Sequence, residues 1–270
     1  MKRRFLTLDL ETVPDEALVS AVDGQPSRPY AEQLGRIVAE RRARSGGRSD
    51  FLPLPYHRPV AGCALEAVEE DGRLSVTDVH CWTDRGRGEG EAAFLRRTWQ
   101  LIAGRSLVTF RGRGFDVPVL ELRSLKLGIP AARWFGTRRE EHVDVLDLLT
   151  GAGAAASAPL DLYAKLLGLP GKEGVAGKDV QALYADGALD RIAAYCMTDV
   201  VQTYLLFMRW RLLDGSLTEP GYADSARQAL DVLPELFRRR LGAGESAHLA
   251  SWLERCRPFA DEQPAARRAL

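Results

Sequence analysis

Cysteine is sparse and never paired in sequence. Cys63, Cys81, Cys196 and Cys256 are scattered, with no CxxC among them. That spacing argues against a disulfide framework or a zinc site and fits a reducing compartment. No apolar run reaches the length that crosses a bilayer. The stretch from Met1 to Glu11 begins like a signal peptide, but Asp9 and Glu11 interrupt it and no small-residue cleavage site follows. The expectation is a soluble cytoplasmic protein with no membrane partner. Net charge is also missing. The 37 lysines and arginines balance 37 aspartates and glutamates, so whole-chain charge identifies no partner. Neutrality still admits nucleic acid, because a carboxylate-lined metal site offsets a locally basic phosphate-binding surface in the sum. There is no internal repeat. Gly112 and Gly114 lack the third glycine of a dinucleotide fingerprint, which removes nicotinamide or flavin binding.

The 270 residues suffice for one large domain, or one domain with a small appendage, and for a sizeable core. Apolar alternation predicts a strand over Arg4–Leu10. A polar, arginine-rich stretch follows, helical around Tyr30–Arg44, and Pro53, Pro55 and Pro59 mark an extended segment. Val60–Glu69 and Arg73–Trp82 read as a hairpin joined at Glu70-Asp71-Gly72. Helical spacing appears over Gly90–Ala103, Val117–Leu127, Leu160–Leu167, Asp179–Tyr184 and Leu189–Leu213. Ser106–Phe110 reads as a short buried strand, and His142–Leu149 as a strand or short helix. Two more helices, near Ser225–Leu241 and Ser246–Arg255, precede a polar tail. This order predicts an α/β fold, a mixed sheet flanked by helices.

Three acidic motifs stand out. Asp9 and Glu11 are two apart on the first predicted strand, so both face the same way. Two carboxylates on an inner strand repel each other unless a cation pairs them; the blander reading is the solvated face of an edge strand. Asp116 follows a strand and a glycine-containing turn, where it can cap the next helix with one carboxylate oxygen while the other faces a metal. Tyr195 and Asp199 are four apart on the longest predicted helix and share a face. Their blander reading is a buried tyrosine and a solvated aspartate, which Val200, Val201, Tyr204 and Leu205 around Asp199 oppose. Four such acids suit two divalent ions, and a tyrosine one turn before the last acid can position a water. That is equipment for metal-assisted phosphodiester cleavage. His142, Asp144 and Asp147 form a further polar set, either a support for the site or a solvated strand face. His57, His80 and His248 have no sequence companions and read as structural.

The ordered set of motifs resembles the DnaQ-like 3′–5′ exonucleases of the ribonuclease H-like superfamily. Tyr195, rather than a histidine at position 194, is similar to their DEDDy (tyrosine) branch. Within it the chain most resembles predicted bacterial exonucleases related to the proofreading domain of family B DNA polymerases. The stretches that carry this are Phe51–His57, Val108–Asp116, His142–Leu149 and Asp190–Asp199. The resemblance covers most of residues 4–215 and implies a ribonuclease H-like domain over 1–215, followed by a helical C-terminal extension over 216–270. It implies a metal-dependent nuclease releasing nucleoside monophosphates from single-stranded 3′ ends, of DNA in preference to RNA, with the choice between the two left open. Two Mg2+ or Mn2+ ions would be held by Asp9, Glu11, Asp116 and Asp199, and Tyr195 would orient the water. Arg111, Arg113, Arg138 and Arg139 are candidate phosphate contacts, with His142 and Asp144 supporting the site. The family usually has asparagine at position 111, so Arg111 either grips a phosphate or disturbs the site. The rival reading is a non-catalytic nucleic-acid-binding module with the same fold; a ribonuclease is a third.

Overall fold

The computed structural model describes residues 2–85, 90–136, 141–171 and 177–261. Arg138 and Arg139 lie outside the described residues. Five strands form one sheet in the order β3-β2-β1-β4-β5, with β1 at Arg3–Pro14, β2 at His57–Glu70, β3 at Arg73–Thr83, β4 at Ser106–Thr109 and β5 at His142–Asp144. The first three are antiparallel neighbours, while β4 and β5 run parallel to β1. The sheet is therefore mixed, as the element order predicts. The hairpin turns on Asp71 (φ 51°) and Gly72 (φ 71°). Two successive positive φ values match the right-handed twist of the flanking strands, and Asp-Gly is the pair that tolerates them.

Strand β1 is central, not an edge. Its Leu6, Leu8 and Leu10 enter one core with Phe94, Trp99, Leu107, Val117 and Leu120. Those come chiefly from α3 (Gly90–Ile102) and α4 (Asp116–Leu127). Its other face puts Phe5 into a second core with Val200, Tyr204 and Phe207 of the long helix α9 (Leu189–Leu213). Thr7, Asp9 and Glu11 continue that face, so the two acids look toward α9. Both faces are covered, which overturns the edge-strand reading of Asp9 and Glu11.

The remaining helices brace this frame. Helix α1 (Glu16–Asp23) is capped by Asp15, whose Oδ1 accepts from the amides of Ala17 and Leu18. The Asp15 carboxylate also meets Arg123 and Lys126 of α4. Burial opposes its ionisation, but the hydrogen bonds from Lys126 and Arg123 outweigh it and hold the carboxyl well below its ordinary range. Arg123 reaches Glu91 of α3 as well, so one buried guanidinium ties three elements and fixes α4. Helices α2 (Tyr30–Arg44), α5 (Ala132–Gly136), α6 (Val145–Thr150), α7 (Leu160–Leu166) and α8 (Val180–Ala185) fill the periphery. The stretch His142–Leu149, open between strand and helix, is both: β5 and then α6, divided at the Asp144 N-cap.

Helices α10 (Glu219–Arg240), α11 (Ala243–Glu254) and α12 (Arg257–Asp261) are the last of the described elements. The apparent polar tail thus begins with a further helical turn. Helix α10 covers the exposed edge of β3. Ser225 Oγ accepts the Leu74 amide (2.9 Å), and the Gln228 side chain bonds both the N–H and the C=O of Val76 (2.9 Å each). Side chains from a helix thus take ladder positions that would otherwise invite a foreign strand. Among the described residues, no helix is long and apolar enough to cross a membrane.

Candidate active site

Pairing between β1 and β4 ends at Thr7↔Val108, after which the two strands part. The β4-side edge of β1 is then open, and Asp116 fills it. The Leu10 N–H donates to Asp116 Oδ1 at 3.1 Å, so the second motif is pinned to the residue between Asp9 and Glu11. Asp116 lies in the first turn of α4, and Phe115 is the N-cap residue, without a side-chain cap bond. The capping alternative for Asp116 therefore gives way to a bond across to β1.

Asp116 is 4% exposed and feels the negative charges of Asp144 and Asp199. Burial is the largest influence on its carboxyl. Together with those charges it outweighs bonds from its own amide and that of Leu10, pushing the pKa up to about 7. Asp199 is 7% exposed, which overturns its reading as a solvated aspartate. Asp9 and Glu11 bring oxygens within 4.8 Å of one another and of the Cys196 sulfur. The four acids of the three motifs thus converge beside the carboxyl end of β1, the end at which open α/β sheets present their ligand sites.

Cys196 carried no functional signal in the sequence. Its thiol donates to Asp9 O (3.2 Å) and lies 3.4 Å from Asp9 Oδ2. Burial, with Asp9 and Glu11 nearby, raises its pKa well above the ordinary thiol value and keeps it protonated. The cysteines scattered in sequence partly converge in space: Cys63 and Cys81 face each other across β2 and β3, with sulfurs 3.2 Å apart. All four are free thiols.

Tyr195 lies one turn before Asp199, in a cluster with Val13, Val60, Val180 and Tyr184. Its hydroxyl lies against Gly177, where an added Cβ would come within 3.8 Å of Tyr195 Oη.

The loop between β4 and α4 is held from beneath. Asp144 Oδ1 accepts the Arg111 amide (2.7 Å) and Oδ2 the Arg113 amide (2.9 Å), while Oδ1 also caps α6 at Leu146 (3.1 Å). Burial raises the Asp144 pKa against these bonds. His142 is buried, with Nε2 at 2.8 Å from Thr109 Oγ1; burial and then the Arg113 charge lower its pKa to about 4, so the ring is neutral. Gly112 is required where it stands, since a Cβ there would lie 2.4 Å from Thr109 Oγ1. Arg111 adopts φ 65°. Asparagine tolerates this left-handed conformation better than arginine. The exposed Arg111 guanidinium donates to Ser157 Oγ (3.1 Å). Arg113 donates to His142 O and to Asp147 Oδ2 (3.2 Å), with half its side chain exposed.

A mixed sheet thus gathers the acidic side chains of three separate motifs beside its central strand. The chain belongs to the family described as "Predicted 3'-5' exonuclease related to the exonuclease domain of PolB", whose model matches residues 49–256. It is similar to the family B DNA polymerase of the hyperthermophilic archaeon Pyrobaculum calidifontis, with 16% identity, a TM-score of 0.46, and coverage of 96% of this chain and 29% of that one. It is similar also to exonuclease I, with 14% identity, a TM-score of 0.41, and coverage of 88% of this chain and 45% of that one. At these scores neither structure adds to the functional reading. Among curated proteins, an ATP synthase gamma chain from Synechococcus sp. is 28% identical over 145 residues, 52% of this chain and 39% of that protein. The chain spans less than half the length of each of these three proteins.

Proposed function

We propose that this protein is a nuclease that removes nucleotides from the 3′ ends of single-stranded nucleic acid, with DNA preferred over RNA. The observation that carries the reading is the meeting of the Asp9–Glu11 pair with Asp116 through the Leu10 amide, while Asp116 senses Asp199. The donor set fits divalent cations. The carboxylates are hard oxygen ligands, and the raised pKa of Asp116 marks a cluster that favours protons, or another cation, over bare charge. Asp9, Glu11, Asp116 and Asp199 would hold two Mg2+ or Mn2+ ions. Such ions supply charge neutralisation at the phosphate and acidify the attacking water.

The chain's own side chains do the rest. Tyr195 orients the attacking water rather than deprotonating it, because a phenol of ordinary pKa near 10 is a poor base at neutral pH. Asp144 and His142 hold the loop that presents Asp116. Arg111 and Arg113 contact phosphate, Arg113 by exchanging Asp147 for the substrate. Helices α10 to α12 act as an extension that shields the sheet edge rather than as part of the chemistry.

The test is incubation of end-labelled single-stranded DNA and RNA with the protein, with and without Mn2+. Metal-dependent laddering from the 3′ end is expected, and Asp199→Ala should abolish it while the circular dichroism spectrum is unchanged. Binding without any cleavage in Mn2+ would favour the non-catalytic module instead.

A further inference from the structure

Three aromatic rings form an unassigned cluster beside the carboxylates. Phe51 and His57 stack with centroids 4.8 Å apart and planes 28° from parallel. The Phe115 ring meets His57 edge-on at 4.9 Å and Phe51 at 5.6 Å. Phe115 immediately precedes Asp116. On the other side, His57 is bonded to Thr12, the residue after Glu11, through Nδ1 at 2.9 Å. The cluster therefore has one covalent neighbour in the second acidic motif and one hydrogen-bonded neighbour beside the first.

The rings are held in place. His57 Nε2 faces Leu52 O at 3.0 Å. A carbonyl only accepts, so Nε2 carries the proton, and in the neutral ring Nδ1 accepts from the Thr12 hydroxyl. Both nitrogens are occupied, and the ring presents a neutral π-face to Phe51. Phe51 is 56% exposed. Its backbone is nonetheless fixed: its carbonyl accepts from Arg41 Nε (3.0 Å) and its amide donates to Ser49 Oγ (3.1 Å). An exposed phenyl ring, pinned at its backbone and stacked on its inner side, is an arrangement for receiving another flat ring on its outer side.

We propose that Phe51, backed by His57 and Phe115, is the stacking platform for an unpaired nucleobase at the end of the bound strand. The proposal rests on the reading of the carboxylate cluster as a nuclease site. Aromatic stacking accepts any base, so the platform grips without reading sequence. It also discriminates against paired ends, because a terminal base in a duplex is held by its partner and by the neighbour beneath it, and must be unpaired at a cost to lie on Phe51.

The test uses a single-stranded oligonucleotide with 2-aminopurine at its 3′ terminus and the same oligonucleotide ending in an abasic residue. Both are titrated in Ca2+ against the wild-type protein, Phe51→Ala and Phe51→Trp. The wild type should quench the 2-aminopurine and bind the base-bearing end roughly ten- to hundredfold more tightly than the abasic one, the range for one stacked base. Phe51→Ala should reduce that preference to near unity, and Phe51→Trp should restore it. An unchanged preference in Phe51→Ala, in a protein that binds and cleaves, overturns the platform and leaves the nuclease reading standing. A wild-type protein that neither binds these ends nor cleaves them in Mn2+ overturns both. Stacking without cleavage supports the platform and overturns only the catalytic reading.

Discussion

The carboxylate of Asp116 holds the amide of Leu10 at 3.1 Å, across an opening where β1 has lost its β4 neighbour. One side chain thereby repairs a sheet edge and brings the second acidic motif to the first. Four predictions follow from the surrounding geometry.

Burial and the neighbouring charges of Asp144 and Asp199 oppose ionisation of Asp116. The Asp116 carboxyl titrates at about 7 when folded, against 3.8 ordinarily, so between those values the folded state holds a proton that the unfolded state has released. Its stabilising contribution is complete below about pH 4 and disappears as the pH rises through about 7. Metal-free protein should lose thermal stability between about pH 5 and about pH 8, and Asp116→Asn should flatten that part of the profile. Millimolar Mn2+ should raise the melting temperature by mass action, more at about pH 8 than at about pH 5.5, because the ion displaces protons. Identical profiles for Asp116→Asn and the wild type would show that Asp116 is not the titrating group.

Asp144 organises the loop that leads to Asp116. It accepts the amides of Arg111, Arg113 and Leu146, and removing the carboxylate orphans all three donors. Asp144→Ala should cost about 3 kcal/mol in urea denaturation, within the range for unsatisfied buried donors partly rescued by water. It should also weaken Mn2+ binding, since Asp116 loses its placement. A cost below about 1 kcal/mol would mean that the loop holds its shape without Asp144.

Arg111 is strained by its positive φ. Arg111→Asn should raise the unfolding free energy by about 1 kcal/mol, the saving expected when a residue suited to the left-handed region replaces one that is not. The same variant tests the guanidinium. If Arg111 grips a phosphate, the salt dependence of binding to single strands should weaken by about one unit of slope. A stabilised variant with an unaltered salt slope would make Arg111 a loop residue bonded to Ser157 and nothing more.

The role proposed for Tyr195 separates chemistry from metal binding. Tyr195→Phe should leave Mn2+-induced stabilisation in place and slow cleavage by ~10–100-fold, the effect of losing one positioned hydrogen bond. Turnover equal to the wild type would make the tyrosine a packing residue in its cluster with Val13 and Val60.

The sequence by itself determined the elements and the acidic set. The 25-residue helix Leu189–Leu213 and the Asp71–Gly72 hairpin are written in local periodicity and turn chemistry, which act over a few residues and survive in any fold. Asp9 and Glu11 share a face because a strand repeats every two residues, and Tyr195 and Asp199 because a helix repeats every 3.6. Helices α1, α5 and α12 escaped notice because each is short, from 5 to 8 residues, and short helices depend on tertiary contacts more than on pattern. Only the tertiary structure decided that Cys196 lies against Asp9, 187 positions away, that His57 stacks on Phe51 and meets Phe115 edge-on, and that Ser225 and Gln228 close the edge of β3. Those relations depend on where β4 parts from β1 and on how α9 and α10 seat against the sheet. Helix seating is set by the packing of whole faces, so no window of sequence contains it.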